Sequence, residues 1–394
     1  MSSDDVLSLA EKALVSLSTG DAAAQMGEAN MVFGLAKILW AQAADGVEPG
    51  AAFVASPDAT ITRNSARWRS GFGYGGKLFW RWPEPSVVLD TKPNCCGMMV
   101  GGLKAAPDTT VLSRAVQDLL STPVDLDGIP VEWDFATSNH FIDVFEARSM
   151  AGDGDLPPYV FIVHSSVPEL RGPGPLGLGL YVDKSPALVE QARLYETPWG
   201  PLRVLHGDDA VEYLAFFERA DRFAAAKREL AATQLFGEYT PISNIVHQGT
   251  IADGVMLLGC HDAASQQLLP LTLRPDLPAY LMRGMANLRP DFIEREGLAV
   301  GRPDFVREWL ENANIVPHGG GYALEGMRRL KRAWSDGGLR FFELERETAG
   351  MVDLVTDPTS LPMRYRGRQV LMKSLECGLA EAVARLDQVF VIKA

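Results

Sequence analysis

Tyr159-Val160-Phe161-Ile162-Val163-His164-Ser165-Ser166 is an apolar run of strand length that stops at a histidine. A run so short and so rich in β-branched and aromatic residues reads as a buried strand that carries a polar side chain to its end. Beyond it, residues 172–179 are dense in Gly and Pro, so the chain must leave the strand as a loop. A long helix is expected from about Asp209 to Leu235, where the sequence is Ala-rich with alternating charged positions. Val255-Met256-Leu257-Leu258 reads as another core strand, as do Ala52-Phe53-Val54-Ala55 and Ser86-Val87-Val88-Leu89.

The two ends add helices. Leu7, Leu9, Ala10, Leu14 and Leu17 suit one amphipathic helix, Ser18-Thr19-Gly20-Asp21 interrupts it, and a second helical run reaches Trp40. Residues 1–45 are therefore expected to form an N-terminal helical hairpin packed on the core. Further helices are expected near Pro303–Asn312, Leu324–Ala333 and Leu375–Leu386, followed by the strand Gln388–Ile392. Strands and helices alternate irregularly, without repeats or an obvious linker. This points to α+β, with residues 46–394 forming one large domain of mixed β-sheets flanked by helices.

The 394 residues are 47% hydrophobic and 22% charged, which is globular composition with enough chain for a large core. No apolar stretch is long enough for a membrane helix. Met1-Ser2-Ser3-Asp4-Asp5 is acidic where a signal peptide would be basic, so a cytoplasmic protein is expected. Four cysteines are too few for a disulfide framework, which leaves thiolates free to bind metal. A formal net charge of −13 argues against loose, purely electrostatic attraction to nucleic acid. It leaves room for a local basic groove. Three segments mix cations with aromatics, at Arg63–Arg69 around Trp68, Arg328–Trp334 and Arg364–Arg368; each reads equally as solvated surface.

Chemistry-bearing residues are sparse. Of six histidines, His140, His164 and His318 lie in polar or Gly-rich contexts, in Ser138-Asn139-His140-Phe141, Val163-His164-Ser165-Ser166 and Pro317-His318-Gly319-Gly320-Gly321. With Asn94-Cys95-Cys96-Gly97 they make a thiolate–imidazole set suited to Zn²⁺, Fe²⁺ or Mn²⁺. There is no paired CxxC, HExxH, Walker A or GxSxG motif, and the Gly-rich loop near Gly172 lacks dinucleotide-binding spacing.

These blocks resemble those of the RtcB family of RNA ligases. Cys96-Gly97-Met98-Met99 is similar to the family's Cys-Gly-Met/Val block. Ser138-Asn139-His140-Phe141-Ile142-Asp143 is similar to Gly-Asn-His-Phe-x-Glu. His164-Ser165-Ser166 with Arg171-Gly172 is similar to His-Ser/Thr-Gly-Ser-Arg-Gly, spread by an insertion. His318-Gly319-Gly320-Gly321 resembles His-Gly-Ala-Gly, and Val391-Ile392-Lys393-Ala394 resembles the terminal Ile-Lys-Gly. The five blocks run in the family's order.

The resemblance implies an RtcB-like catalytic domain and a GTP- and Mn²⁺-dependent RNA ligase. Such an enzyme joins RNA 3′-phosphate or 2′,3′-cyclic phosphate ends to 5′-hydroxyl ends through a histidine–GMP intermediate. It implies His318 as the nucleophile, and Cys96, His140 and His164 as ligands of one or two Mn²⁺. Asn139, Asp143, Arg171, His318, Gly319, Gly320 and Lys393 would contact the nucleotide or phosphate, and an archease-like activator is a possible partner.

The chain also departs from the pattern. Pro93 stands at a ligand aspartate, with Asp90 as a substitute three residues back. Ser243-Asn244 aligns with a His-Asn ligand block, and His247, one helical turn on, is expected to replace the imidazole. The family's Met-Pro-Asp-x-His segment is not visible, and Cys260-His261-Asp262 falls near its Arg-Lys-Gly-Ala block, removing a basic pair. A metal-dependent phosphoesterase, a nucleotidylyltransferase acting on something other than RNA, or a degenerate nucleotide-binding protein on the same scaffold are the alternatives.

Overall fold

A computed structural model describes the chain except for residues 136–138, 151–155, 286–287 and 393–394. Its frame is an eleven-stranded sheet. In chain order the strands are β1 (Leu14–Ser16), β2 (Ala52–Thr60), β3 (Tyr74–Phe79), β4 (Cys96–Leu103), β5 (Phe141–Ser149), β6 (Tyr159–Ser165), β7 (Thr240–Ala252), β8 (Val255–Leu258), β9 (Leu268–Leu271), β10 (Ala279–Gly284) and β11 (Ala380–Ile392). Their spatial order is β1-β2-β3-β8-β7-β4-β6-β5-β11-β10-β9. Only β1–β2 is parallel; the other neighbours are antiparallel. The central strands β4 and β6 are buried along nearly their whole length, which explains why Tyr159–Val163 is continuously apolar rather than alternating. With the flanking helices this is a single large α+β domain, as the sequence pattern implied.

Three helices cover the sheet and its end: α1 (Ser3–Ala13), α2 (Ala22–Ala44) and α3 (Gly207–Phe236). The N-terminal segment differs from a plain hairpin. The first helix stops at Ala13, and Leu14–Ser16 leaves it to pair with Phe53–Ala55 of the sheet. The β-branched Val15 packs better on a pleated surface than in a helix. Helix α2 is capped by Asp21, whose carboxylate accepts from the Ala24 N–H at 3.0 Å, and it is buried through most of its length. Gly27 and Gly34 make that burial possible, because a Cβ there would meet the backbone oxygens of Thr60 and Gly71. Each of its buried polar residues finds a backbone partner: Asn30 donates to Trp68 O, Lys37 to Ser70 O and Gln42 to Arg81 O.

Helices expected at Asp209–Leu235 and Pro303–Asn312 occur, as α3 and Asp304–Glu311. Three helical expectations are overturned. Residues 324–333 are strand apart from a turn at 325–326: Met327–Asp336 forms a hairpin with Leu339–Arg346, turned by Gly337 and Gly338 at positive φ. Its cations pair across strands, Arg328 and Arg329 with Glu345, Lys331 and Arg332 with Glu343, which a helix would not allow. Near the C-terminus the helix is Gln369–Glu376; Gly378 ends it at φ +65°, and residues 380–392 are strand. Residues 243–247 are also strand, within β7.

Parts of the basic segments are internal. Arg67 is buried and donates to Thr91 O and Lys92 O. Arg366 is 1% exposed; its guanidinium grips Asp21 through two hydrogen bonds of 2.5 and 2.7 Å and also donates to the Asp58 carbonyl at 3.3 Å. One cation thus ties the start of α2 to β2. Arg366→Met should lower the unfolding free energy by about 3 kcal/mol, the low end for a broken buried pair because Asp21 is partly solvated. Urea melts measure this; a loss below about 0.5 kcal/mol, typical of surface changes, would reduce the pair to decoration.

Candidate functional site

Three adjacent strands converge on one point. Cys96 opens β4, His164 lies near the end of β6, and His247 lies on β7. On β7, Val246 pairs with Gly97 and Gln248 with Cys96, so His247 is the extra residue of a β-bulge. A bulge re-aims a side chain out of the regular alternation. The Cys96 Sγ is 3.0 Å from His164 Nε2, and one donor atom each from Cys96, His164 and His247 lie within 4.8 Å of one another. His247 thus reaches the site from a strand bulge, not by the helical turn expected from the sequence.

The neighbouring backbone serves the same end. Cys95 adopts φ +51°, a region few non-glycine residues occupy, so the two successive cysteines separate. Cys95 enters the apolar cluster under α3, while Cys96 faces the histidines and its N–H donates to Asn94 Oδ1.

Three further imidazoles, those of His140, His261 and His318, surround this centre. His140 Nε2 is 3.3 Å from Cys96 Sγ, and its Nδ1 is 2.8 Å from Asp134 Oδ2. The His247 ring lies 4.5 Å from the His318 ring and 5.6 Å from the His261 ring. His164 Nδ1 donates to the Asn139 carbonyl at 3.1 Å, which leaves Nε2 toward the sulfur. His261 Nε2 donates to Pro270 O at 2.9 Å.

Charges follow from this packing. Burial, with His318, His164 and His261 nearby, holds His247 well below the ordinary histidine range. Burial and the like charges of His140 and His318 do the same to His164, and burial takes His261 down to about 3. Burial also presses on His140, but the Cys96 sulfur and the Asp134 carboxylate outweigh it and lift that imidazole to about 10. Both ring nitrogens of His247 are buried without a hydrogen-bond partner among the described residues. A neutral imidazole with two idle nitrogens beside a thiol is a donor set awaiting a cation, and it fits Mn²⁺, Fe²⁺ or Zn²⁺.

His318 follows the short strand Ile315–Pro317. Asp58 Oδ2 accepts from His318 Nδ1 at 2.9 Å, from the His318 N–H at 3.2 Å and from the Gly319 N–H at 3.3 Å. Nδ1 therefore carries the proton, and the Nε2 lone pair is free. Gly320 and Gly321 let this loop lie against Arg366 and Asp58, since a Cβ at either would strike the backbone of those residues.

A cleft of about 860 Å³, mouth included, opens over His164 and His318. Tyr74, Phe141 and Phe145 line it, with Tyr322 and Tyr365 stacked at 4.9 Å. Asn139, Asp143 and Gly319 also line it, and Asp143 accepts a hydrogen bond from Gln388 at 2.8 Å.

Of the residues singled out from sequence, Cys96, His140, His164, His247 and His318 come together. Arg171 is exposed and lies over the Tyr181 ring, away from the cleft lining. Gly320 backs the loop without lining the cleft. Lys393 lies outside the described residues, as does Ser138. Asp90 is committed to Arg203, accepting from its N–H at 2.7 Å, and is absent from the thiol–imidazole group.

Sequence reasoning missed Asp58, Asp134, His261, Arg228 and the cleft cation Arg274. Arg228 is fully buried; a Cβ on Gly97 would touch its guanidinium, whose two amino groups lack hydrogen-bond partners among the described residues. For Asp58 a signal existed. Ser56-Pro57-Asp58 interrupts the otherwise apolar run Ala51–Ile61 with polar residues. The others had no local signal.

A comparison with protein-family models finds no match, and a comparison with curated proteins finds none either.

The depressed imidazoles fix an acid response. Unfolded histidines take up protons near pH 6.5, whereas folded His164, His247 and His261 resist, so the unfolded state binds more protons and stability falls as pH drops below 6.5. Each such group contributes up to about 1.4 kcal/mol per pH unit, and for His261 the window ends near pH 3. In chelator-treated protein, His261→Gln should flatten the pH dependence of unfolding between 6.5 and 3 by about one proton. An unchanged slope would mean the imidazole titrates normally.

Proposed function

We propose that this protein is a GTP- and metal-dependent RNA ligase of the RtcB type, acting through a histidine–GMP intermediate. The observation that supports the reading best is His318: its Nδ1 proton is engaged by buried Asp58, its ring lies 4.5 Å from that of His247, and it borders an aromatic cleft. A metal would be held by Cys96, His164 and His247, with His140 as a further donor. Once bound, it would supply positive charge to neutralise phosphate oxygens during displacement.

The chain's own residues do the rest. Asp58 holds the His318 tautomer, so Nε2 attacks the α-phosphorus of GTP; an N–P bond forms as the P–O bond to pyrophosphate breaks. The imidazolium that results is stabilised by the same carboxylate. Gly319 and Gly321 line the cleft, where backbone can approach phosphate, and Arg274, paired with Asp276, adds a guanidinium at its wall. The stacked Tyr322–Tyr365 pair and Phe141 offer flat faces to a purine, while Asp143 and Gln388 offer an acceptor and a donor to its edge. Transfer of GMP to an RNA 3′-phosphate, then displacement by a 5′-hydroxyl, would return His318 to its free state. No helix among the described residues is long and apolar enough to cross a membrane. A cytoplasmic location and an archease-like activator belong to the same reading.

Pro93 and the His140–Asp134 pair favour a second reading, a metal-dependent phosphoesterase on the same scaffold, because one expected carboxylate ligand is missing. Intact mass after incubation with GTP and Mn²⁺ separates the two. Ligation predicts one GMP adduct in the wild type and none in His318→Ala, with RNA bearing 3′-phosphate and 5′-hydroxyl ends then joined. Phosphate release from cyclic-phosphate RNA without an adduct would replace the ligase by the esterase. His247→Ala should lose at least one bound metal equivalent by elemental analysis, and an unchanged metal content would remove it from the ligand set.

A further inference from the structure

A second cleft, of about 860 Å³ with its mouth, lies between α2, the short helix Ser65–Arg69 and the segment around Asp90. Lys37, Arg69, Lys92 and Arg203 line it, against two carboxylates, Asp90 and Asp183. Both acids are already engaged. Asp90 accepts from the Arg203 N–H at 2.7 Å and its guanidinium at 3.3 Å, and Asp183 accepts from Lys92 at 2.8 Å. Two positive charges remain in excess.

Lys37 is the unusual member. It projects from the middle of a buried helix and is 1% exposed, yet it borders the cleft. Its ammonium has three donors; among the described residues the Ser70 carbonyl, 2.8 Å away, is its hydrogen-bond partner, and the Phe72 ring centroid lies 5.9 Å off. A lysine so placed costs desolvation energy that one carbonyl does not return. Burial, with Arg340 and Arg203 adding to it against Asp90, lowers the amine to about 8. Methionine would fill the same space without that cost, so packing gives no reason for an amine here.

We propose that this cleft is a binding site for a phosphate dianion, either inorganic phosphate or the terminal phosphate of a small monoester, with Lys37 as its buried anchor. The charge suits a dianion better than a phosphodiester backbone, whose phosphates carry one charge each. The ligand would use the open donors of Lys37 and the guanidinium of Arg69 at the rim. None of these residues lines the His318 cleft, so the proposal stands apart from the ligase reading.

Titration calorimetry of the full chain with inorganic phosphate, and separately with a small phosphomonoester such as glycerol 3-phosphate, at constant ionic strength, tests it. Wild type should bind at least one of the two. Lys37→Met should weaken that binding by about tenfold or more, roughly one charge-assisted hydrogen bond, without lowering the Tm. Arg69→Gln, on the exposed rim, should weaken it less and serves if Lys37→Met fails to fold. Tighter binding of the monoester would identify the source as an ester rather than free phosphate. No binding of either probe to wild type, or equal binding in wild type and a folded variant, would overturn the site.

Discussion

A thiol and five imidazoles packed around one point cannot all be charged, and most of the site's structure follows from that restriction. Each added proton would bring like charges within a few ångströms where water is excluded, so burial and mutual repulsion keep His164, His247 and His261 neutral. Neutral imidazoles are the form that binds metal. Carboxylates lie against two of the ring Nδ1 atoms: Asp134 at His140 and Asp58 at His318. The same crowding therefore sorts the ring nitrogens into donors, ligands and one free lone pair.

The sheet makes this crowding possible. Cys96, His164 and His247 sit on three hydrogen-bonded neighbours, whose spacing brings their side chains together without long loops. A bulge turns His247 inward, and a left-handed Cys95 directs the next thiol to the site. The His318 loop arrives separately, held by Asp58 and braced by Arg366, whose other partner is the cap of α2. The N-terminal segment is thus joined to the site's support through one buried guanidinium.

Much of the site was legible because its residues are rare types in unusual company. A histidine ending a buried strand, a Gly-rich loop after another, and a Cys-Gly pair stood out before any geometry was known. Arg171 was carried over by resemblance and sits over Tyr181, at the end of the short helical turn Pro168–Leu170. The helices expected at 324–333 and 375–386 failed for a common reason. Both stretches hold residues compatible with either state, and glycines at 326, 337 and 378 together with cross-strand Glu partners decided for strands.

The sequence by itself determined the α+β class, the long Ala-rich helix, the buried central strands and the identity of the thiol and imidazoles, because these depend on local composition and short-range periodicity. Only the tertiary structure decided that Asp58 serves a histidine 260 positions away, that Arg366 is internal, and that His247 points inward. Those outcomes depend on which strands become neighbours and where one register slips by a residue. Such pairings are set by the summed packing of the whole core, which no short stretch of the chain encodes.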